Sequence, residues 1–195
     1  TNATEAPMPI AGTFSKLYVR FPTALTAGTS YTTALMKNNA ATALSAQVTD
    51  AGLTAQDTSN TVAVVAGDMV SFRITPAGSP PGQTAFQTGV VFDATTSGES
   101  PILSLGSTAS TTGTVYASLG SYSVWDATES LRSTVFPTNG VVDHMYIDLS
   151  TAPGVGKTNT ITLVKNGTPT SQTCTVSDTA TTCTDLTNAV TFAPG

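Results

Sequence analysis

The sequence predicts an all-β fold: two tandem antiparallel β-sandwich domains, jelly-roll-like, related by an internal repeat. Three observations carry this reading. Residues 12–67 and 140–195 align without a gap at a constant offset of 128, Gly12 falling on Gly140, with seventeen identical positions. Self-similarity on this scale means two copies of one module. Apolar residues alternate with polar ones over short runs, as in a half-buried strand. Gly, Pro, Asn and Asp punctuate those runs about every 8–12 residues, the spacing of turns in a sandwich. An immunoglobulin-like sandwich is the alternative topology.

Each element follows in order. Leu17, Val19 and Phe21 alternate with Tyr18 and Arg20, and Met145, Ile147 and Leu149 repeat the pattern around Tyr146 and Asp148. Tyr31 to Met36, with Thr160 to Val164, forms the next strand. It ends at Lys37-Asn38-Asn39 or Lys165-Asn166-Gly167, residues that accept the positive φ angles of a type I′ hairpin turn. Ala43 to Val48 and Ser171 to Val176 return from it. After another turn come Asn60 to Val65 and Asn188 to Ala193, and copy one continues through Ala66-Gly67-Asp68 into Met69 to Thr75. No helical period extends beyond a turn or two.

Residues 68–85 have no partner in copy two, and residues 86–126 have none in copy one. Ala3-Thr4-Glu5 resembles Ala127-Thr128-Glu129. The sequence therefore reads as a longer module cut at both ends, with domains at 1–84 and 85–195 divided near the Pro/Gly-rich stretch Pro76 to Gly82. On this reading copy two lacks the strand that Met69 to Thr75 supplies to copy one. Another chain, in a homo-oligomer or filament, is expected to cover the open edge.

Composition narrows the function classes. Only 10% of the chain is charged, against roughly 25% in ordinary soluble domains; Thr, Ser, Ala and Gly must cover the surface. The net charge is −5 with seven Lys plus Arg, so no basic stripe exists to neutralise phosphates and nucleic-acid binding is not expected. No apolar run approaches the roughly 20 residues needed to cross a bilayer, and no signal peptide is visible.

Candidate chemistry is sparse. Cys174 and Cys183 stand where copy one has Ala46 and Ala55. If Ser177 to Ala180 turns a hairpin, the two cysteines face each other and form a disulfide, which implies an oxidising, extracellular setting; two buried thiols are the alternative. Asp57, Asn60, Asp185 and Asn188 recur at matching places. They are candidate Ca²⁺ ligands, helped by Asp50 and Asp178, or else Asx turns whose side chains bond backbone N–H groups. His144, the one histidine, sits beside Asp143, but adjacent strand residues point to opposite faces, so a catalytic pair is not expected. Gly154 to Thr158 lacks the leading glycine and the helix of a phosphate loop. Asn2-Ala3-Thr4 and Asn166-Gly167-Thr168 are glycosylation sequons. Tyr116, Tyr122 and Trp125 form an aromatic group suited to a glycan or to an interface. No cofactor site is read.

Tyr146, Leu149, Ala152-Pro153-Gly154, Gly156, Lys165-Asn166-Gly167 and Val190 together resemble a pattern in β-rich modules of bacteriophage and environmental virus structural proteins. Copy one keeps Lys37-Asn38 and Val65-Ala66-Gly67-Asp68 but has Leu25-Thr26 in place of Pro-Gly. The resemblance implies a non-enzymatic protein of the virion surface, a capsid decoration or a head or tail fibre. It implies partners among its own copies and other virion subunits, and no catalytic residues. A secreted bacterial surface or filament subunit, possibly carbohydrate-binding, is the second expectation.

Overall fold

The computed structural model describes residues 5–82, 87–106, 113–120, 122–123 and 125–195. The fold is all-β, with no α-helix among the described residues. In chain order the strands are β1 (Ala6–Pro7), β2 (Gly12–Arg20), β3 (Ser30–Lys37), β4 (Ala40–Thr49), β5 (Thr54–Val64), β6 (Met69–Ala77), β7 (Gln87–Ala94), β8 (Leu105–Gly106), β9 (Tyr122–Ser123), β10 (Gly140–Asp148), β11 (Gly154–Lys165), β12 (Thr168–Asp178) and β13 (Thr182–Phe192). A 3₁₀ turn, Glu129–Leu131, precedes β10.

The chain divides into two compact units. One is Ile10–Ser100; the other runs from Pro101 to Gly195 and takes in the described residues before Ile10. The first unit thus extends past the boundary expected at 84, because β7 pairs antiparallel with β2 along its length. Phe92 on β7 meets Phe14 on β2 with ring centroids 4.9 Å apart. Nothing in the repeat marks this strand, so comparison of the two copies could not assign it.

In the first unit one sheet runs β6–β3–β4 and the other β5–β2–β7, all antiparallel. Leu17, Leu35, Leu44 and Val48, from β2, β3 and β4, are all but fully buried. In the second unit β10 pairs with β13, β11 with β12, and β8 with β9 in a short parallel pair. Its core gathers Leu163, Val190 and Phe192, with Leu119, Phe136, Val142 and Met145 packed against them. Phe136 stacks on Phe192 at 4.3 Å.

The repeat is reproduced residue for residue in the pairing. Gly12 faces Val64 as Gly140 faces Phe192, and Arg20 faces Thr54 as Asp148 faces Thr182. Ser30 faces Thr49 as Thr158 faces Ser177. Both hairpins turn on left-handed residues, Asn38 and Asn39 at φ 51° and 65°, Asn166 and Gly167 at 49° and 77°. That is the type I′ geometry that Asn and Gly tolerate at least cost. Both copies have a β-bulge at the same place in β2 and β10: Lys16, φ 54°, and His144, φ 53°, where the register slips. A bulge inserts one residue and re-aims the side chains around it.

Candidate functional site

Several polar side chains common to both copies are engaged with backbone. Thr42 Oγ1 donates to the Leu35 carbonyl at 2.8 Å, and Thr170 Oγ1 to that of Leu163 at 2.7 Å. The Gly28 N–H donates to Asp50 Oδ1 at 2.8 Å, and the Gly156 N–H to Asp178 Oδ1 at 2.7 Å. Gly28 and Gly156 sit at φ 76° and 74°, a backbone region that a Cβ disfavours. Lys37 Nζ donates to the Ala63 carbonyl at 2.9 Å, Lys165 Nζ to that of Thr191 at 2.7 Å.

The strongest of these devices is the carboxylate of Asp57 and its twin Asp185. Asp57 Oδ1 accepts the N–H groups of Ser59 and Asn60 and the Ser59 hydroxyl, all at 3.1 Å. Its Oδ2 accepts the Asn60 side-chain amide at 2.9 Å and the Ser45 N–H, from β4, at 3.1 Å. Asp185 repeats this with Thr187, Asn188 and the Thr173 N–H of β12 at 3.0–3.2 Å, and with the Asn188 amide at 2.9 Å. Each carboxylate therefore clasps one strand to another while closing its own Asx turn. The Asn60 amide first, then the backbone N–H groups of Asn60, Ser45 and Ser59, outweigh burial and hold the Asp57 carboxyl well below the usual carboxylate range. The Asn188 amide does the same for Asp185.

The hydrogen bonds are those of an Asx turn. Asn60 and Asn188 present N–H donors to the carboxylates, and Asp50 and Asp178 are engaged with glycine N–H groups in other turns. The four act as turn and clasp residues. Among the described residues no group of three or more His, Cys, Asp or Glu side chains is placed to hold a metal ion.

Cys174 and Cys183 are disulfide-bonded, with Cα atoms 5.9 Å apart. The bond differs from the hairpin pairing expected. Cys174 faces Ile161 in the β11–β12 pair, Cys183 faces Ile147 in the β10–β13 pair, and the bridge joins the two sheets. The turn after Asp178 carries the chain across to the other sheet instead of folding it back into the same ladder. Ala46 and Ala55 hold the matching positions, opposite Thr33 and Val19. The double substitution Ala46→Cys/Ala55→Cys is therefore expected to form a second disulfide on oxidation. With nine residues of separation it should raise the stability of copy one by about 2.5 kcal/mol; intact mass and thermal melts, with and without reductant, check both points.

His144 and Asp143 do meet, against expectation: Nδ1 lies 3.0 Å from Oδ1. The bulge removes the alternation that would have separated them. Both remain exposed. Beneath the bulge Gln172, 1% exposed, replaces the Leu44 of copy one. With its amide orientation assigned from its neighbours, Gln172 donates to the Val142 carbonyl at 3.2 Å and accepts from the His144 N–H at 3.3 Å. Asp148 was not singled out by sequence. Burial, aided by the charge of Glu5, pushes its carboxyl up.

Of the aromatic group, the side chains of Tyr116 and Trp125 are described. Tyr116 and Asp126 exchange backbone hydrogen bonds at 2.7 and 3.0 Å, which brings Tyr116 near the neighbour of Trp125. Both aromatic residues are half-buried. The side chain of Tyr122 and the sequon at Asn2 lie outside the described residues. Gly154 to Thr158 begins strand β11, not a helix.

No helix of the described residues is long and apolar enough to cross a membrane. The disulfide is compatible with an extracellular or secreted setting. No protein-family model, no curated protein and no solved structure matches the chain.

Proposed function

We propose that the chain is a non-enzymatic structural protein of a virion surface, a capsid decoration or a head or tail fibre. It is built from tandem jelly-roll-like β-sandwich modules and acts through assembly with its own copies and other subunits. The observation that supports this reading is where the repeated side chains are spent. Thr42, Asp50, Asp57 and Lys37, with their twins in copy two, hold backbone in place, and Asn60 and Asn188 hold the carboxylates that do so. A module duplicated for its shape keeps such residues. A module duplicated for chemistry would keep reactive groups around a cavity. The sequence resemblance supplies the virion, and the low charge suits a surface that packs against other subunits. The disulfide also fits a second reading, a secreted bacterial surface or filament subunit, because both settings are oxidising.

Mass spectrometry of gradient-purified particles from the source of the sequence tests the choice. Peptides of this chain are expected in the particle fraction at a fixed ratio to the major capsid protein. Recovery only from cell envelopes or filaments would overturn the virion reading in favour of the second.

A further inference from the structure

The outer face of the β5–β2–β7 sheet carries a group of side chains that the fold of the first unit does not use. Val19, 3% exposed, points into the core, so its neighbours Tyr18 and Arg20 on the central strand β2 point out. Tyr18 stands directly opposite Gln56 on β5 and Gly89 on β7, and Arg20 stands opposite Thr54 and Gln87. Direct partners hold their Cβ atoms about 4.5–5.5 Å apart. The two rungs therefore gather an aromatic ring, a guanidinium, two carboxamides and a hydroxyl into one patch. A cleft of about 550 Å³ opens over these residues, a size suited to a small ligand. It lies wholly within Ile10–Ser100.

The patch is open and its polar groups are unspent. Tyr18 is 48% exposed although it sits on the central strand. Gly89 leaves the space beside it empty, since a Cβ there would meet nothing within 4 Å. A glycine inside a strand weakens it and often marks the close approach of a ligand. Among the described residues no hydrogen bond or ion pair engages the side chains of Tyr18, Arg20, Gln56 or Gln87. Lys37 and Arg132 meet carboxylates and Lys165 meets a backbone carbonyl. Arg20 meets neither, in a chain of net charge −5. Copy two keeps the tyrosine as Tyr146, but Thr184 stands in place of Gln56 and Asp148 in place of Arg20. The cation and the carboxamide belong to copy one alone.

We propose that this cleft binds an acidic saccharide, the carboxylated sugar of a glycan. The Tyr18 ring receives the C–H face of a pyranose. Gln56 and Gln87 each offer a donor and an acceptor to neighbouring hydroxyls. Arg20 pairs the sugar carboxylate through its planar fork. A peptide fits less well, because β2 is paired on both edges and has no free backbone to offer an extended chain. The site is separate from the aromatic group of Tyr116 and Trp125, and it does not depend on the virion assignment.

The test applies the intact chain to an array of uronic-acid and sialic-acid oligosaccharides, each beside its methyl ester, and titrates a bound sugar by calorimetry. One site per chain is expected, filled by a free acid in preference to its ester. Tyr18→Ala and Arg20→Gln should each weaken binding about tenfold, and Arg20→Gln should erase the preference for the acid. Gly89→Val should abolish binding by filling the cleft. Its β-branched side chain suits a strand, so the melting curve should not fall. Absence of any bound acid, equal binding of acids and esters by the wild type, or binding that Tyr18→Ala and Gly89→Val leave intact would overturn the proposal. If Gly89→Val does not fold, the two exposed-residue variants decide.

Discussion

Replacing Asp57 with alanine is expected to cost about 2–4 kcal/mol of stability, because three backbone N–H groups, of Ser45, Ser59 and Asn60, lose their acceptor at once. Asp57 is itself buried, 7% exposed, so solvent replaces those bonds poorly. Asp57→Asn should rescue little. One carboxylate oxygen becomes an NH₂ group that must face donors, the Ser45 N–H and Asn60 amide or the Ser59 and Asn60 N–H groups. Denaturant unfolding followed by circular dichroism measures the loss, which should fall on the copy-one transition, with Asp185→Ala acting in the same direction on copy two. The pH dependence has a definite sign. The folded carboxyl has a depressed pKa, so the unfolded chain binds more protons at acid pH. Its stabilisation is full above the unfolded value, about 3.9, and is lost as pH falls toward the folded one. Wild-type stability should therefore drop below about pH 4, and Asp57→Ala should flatten that slope. An unchanged slope in the variant would show that the clasp does not carry it.

The strands and hairpins were legible because period-2 patterning and Asn-Asn or Asn-Gly turns act locally. So was the turn role of Asp57 to Asn60, since Asx residues bond N–H groups two or three positions on. Its other half was not: the Ser45 and Thr173 N–H groups come from neighbouring strands, and no local pattern announces them. The bulge did leave a trace. Buried residues step by three, Phe14 to Leu17, where an unbroken strand steps by two, and the partly buried Val142 and Met145 repeat the step. Read that way, the trace would have placed His144 beside Asp143. The β7 strand and the sheet-to-sheet route of the disulfide depend on tertiary packing, for which one sequence and its internal repeat hold no signal.

Removing the disulfide is expected to act on copy two alone. Copy one has β6 and β7 along the outer edges of β3 and β2, whereas β10 and β11 carry no such flanking strands among the described residues. In copy two the Cys174–Cys183 bridge ties β12 to β13, and so the two strand pairs to each other. Cys174→Ala/Cys183→Ala restores the residues that copy one uses at the same places, so the substitution introduces no new bulk. With a sequence separation of nine, the chain-entropy argument gives a loss of about 2.5 kcal/mol. That is a large share of the 5–15 kcal/mol typical of a whole domain. Two unfolding transitions should separate in the variant, copy two melting first. Reductant should bring the wild type to the same curve and leave the copy-one transition, assigned with Asp57→Ala, where it was. A variant that melts like the oxidised wild type, or a reductant effect on copy one, would show that the bridge is not what holds the strand pairs of copy two together.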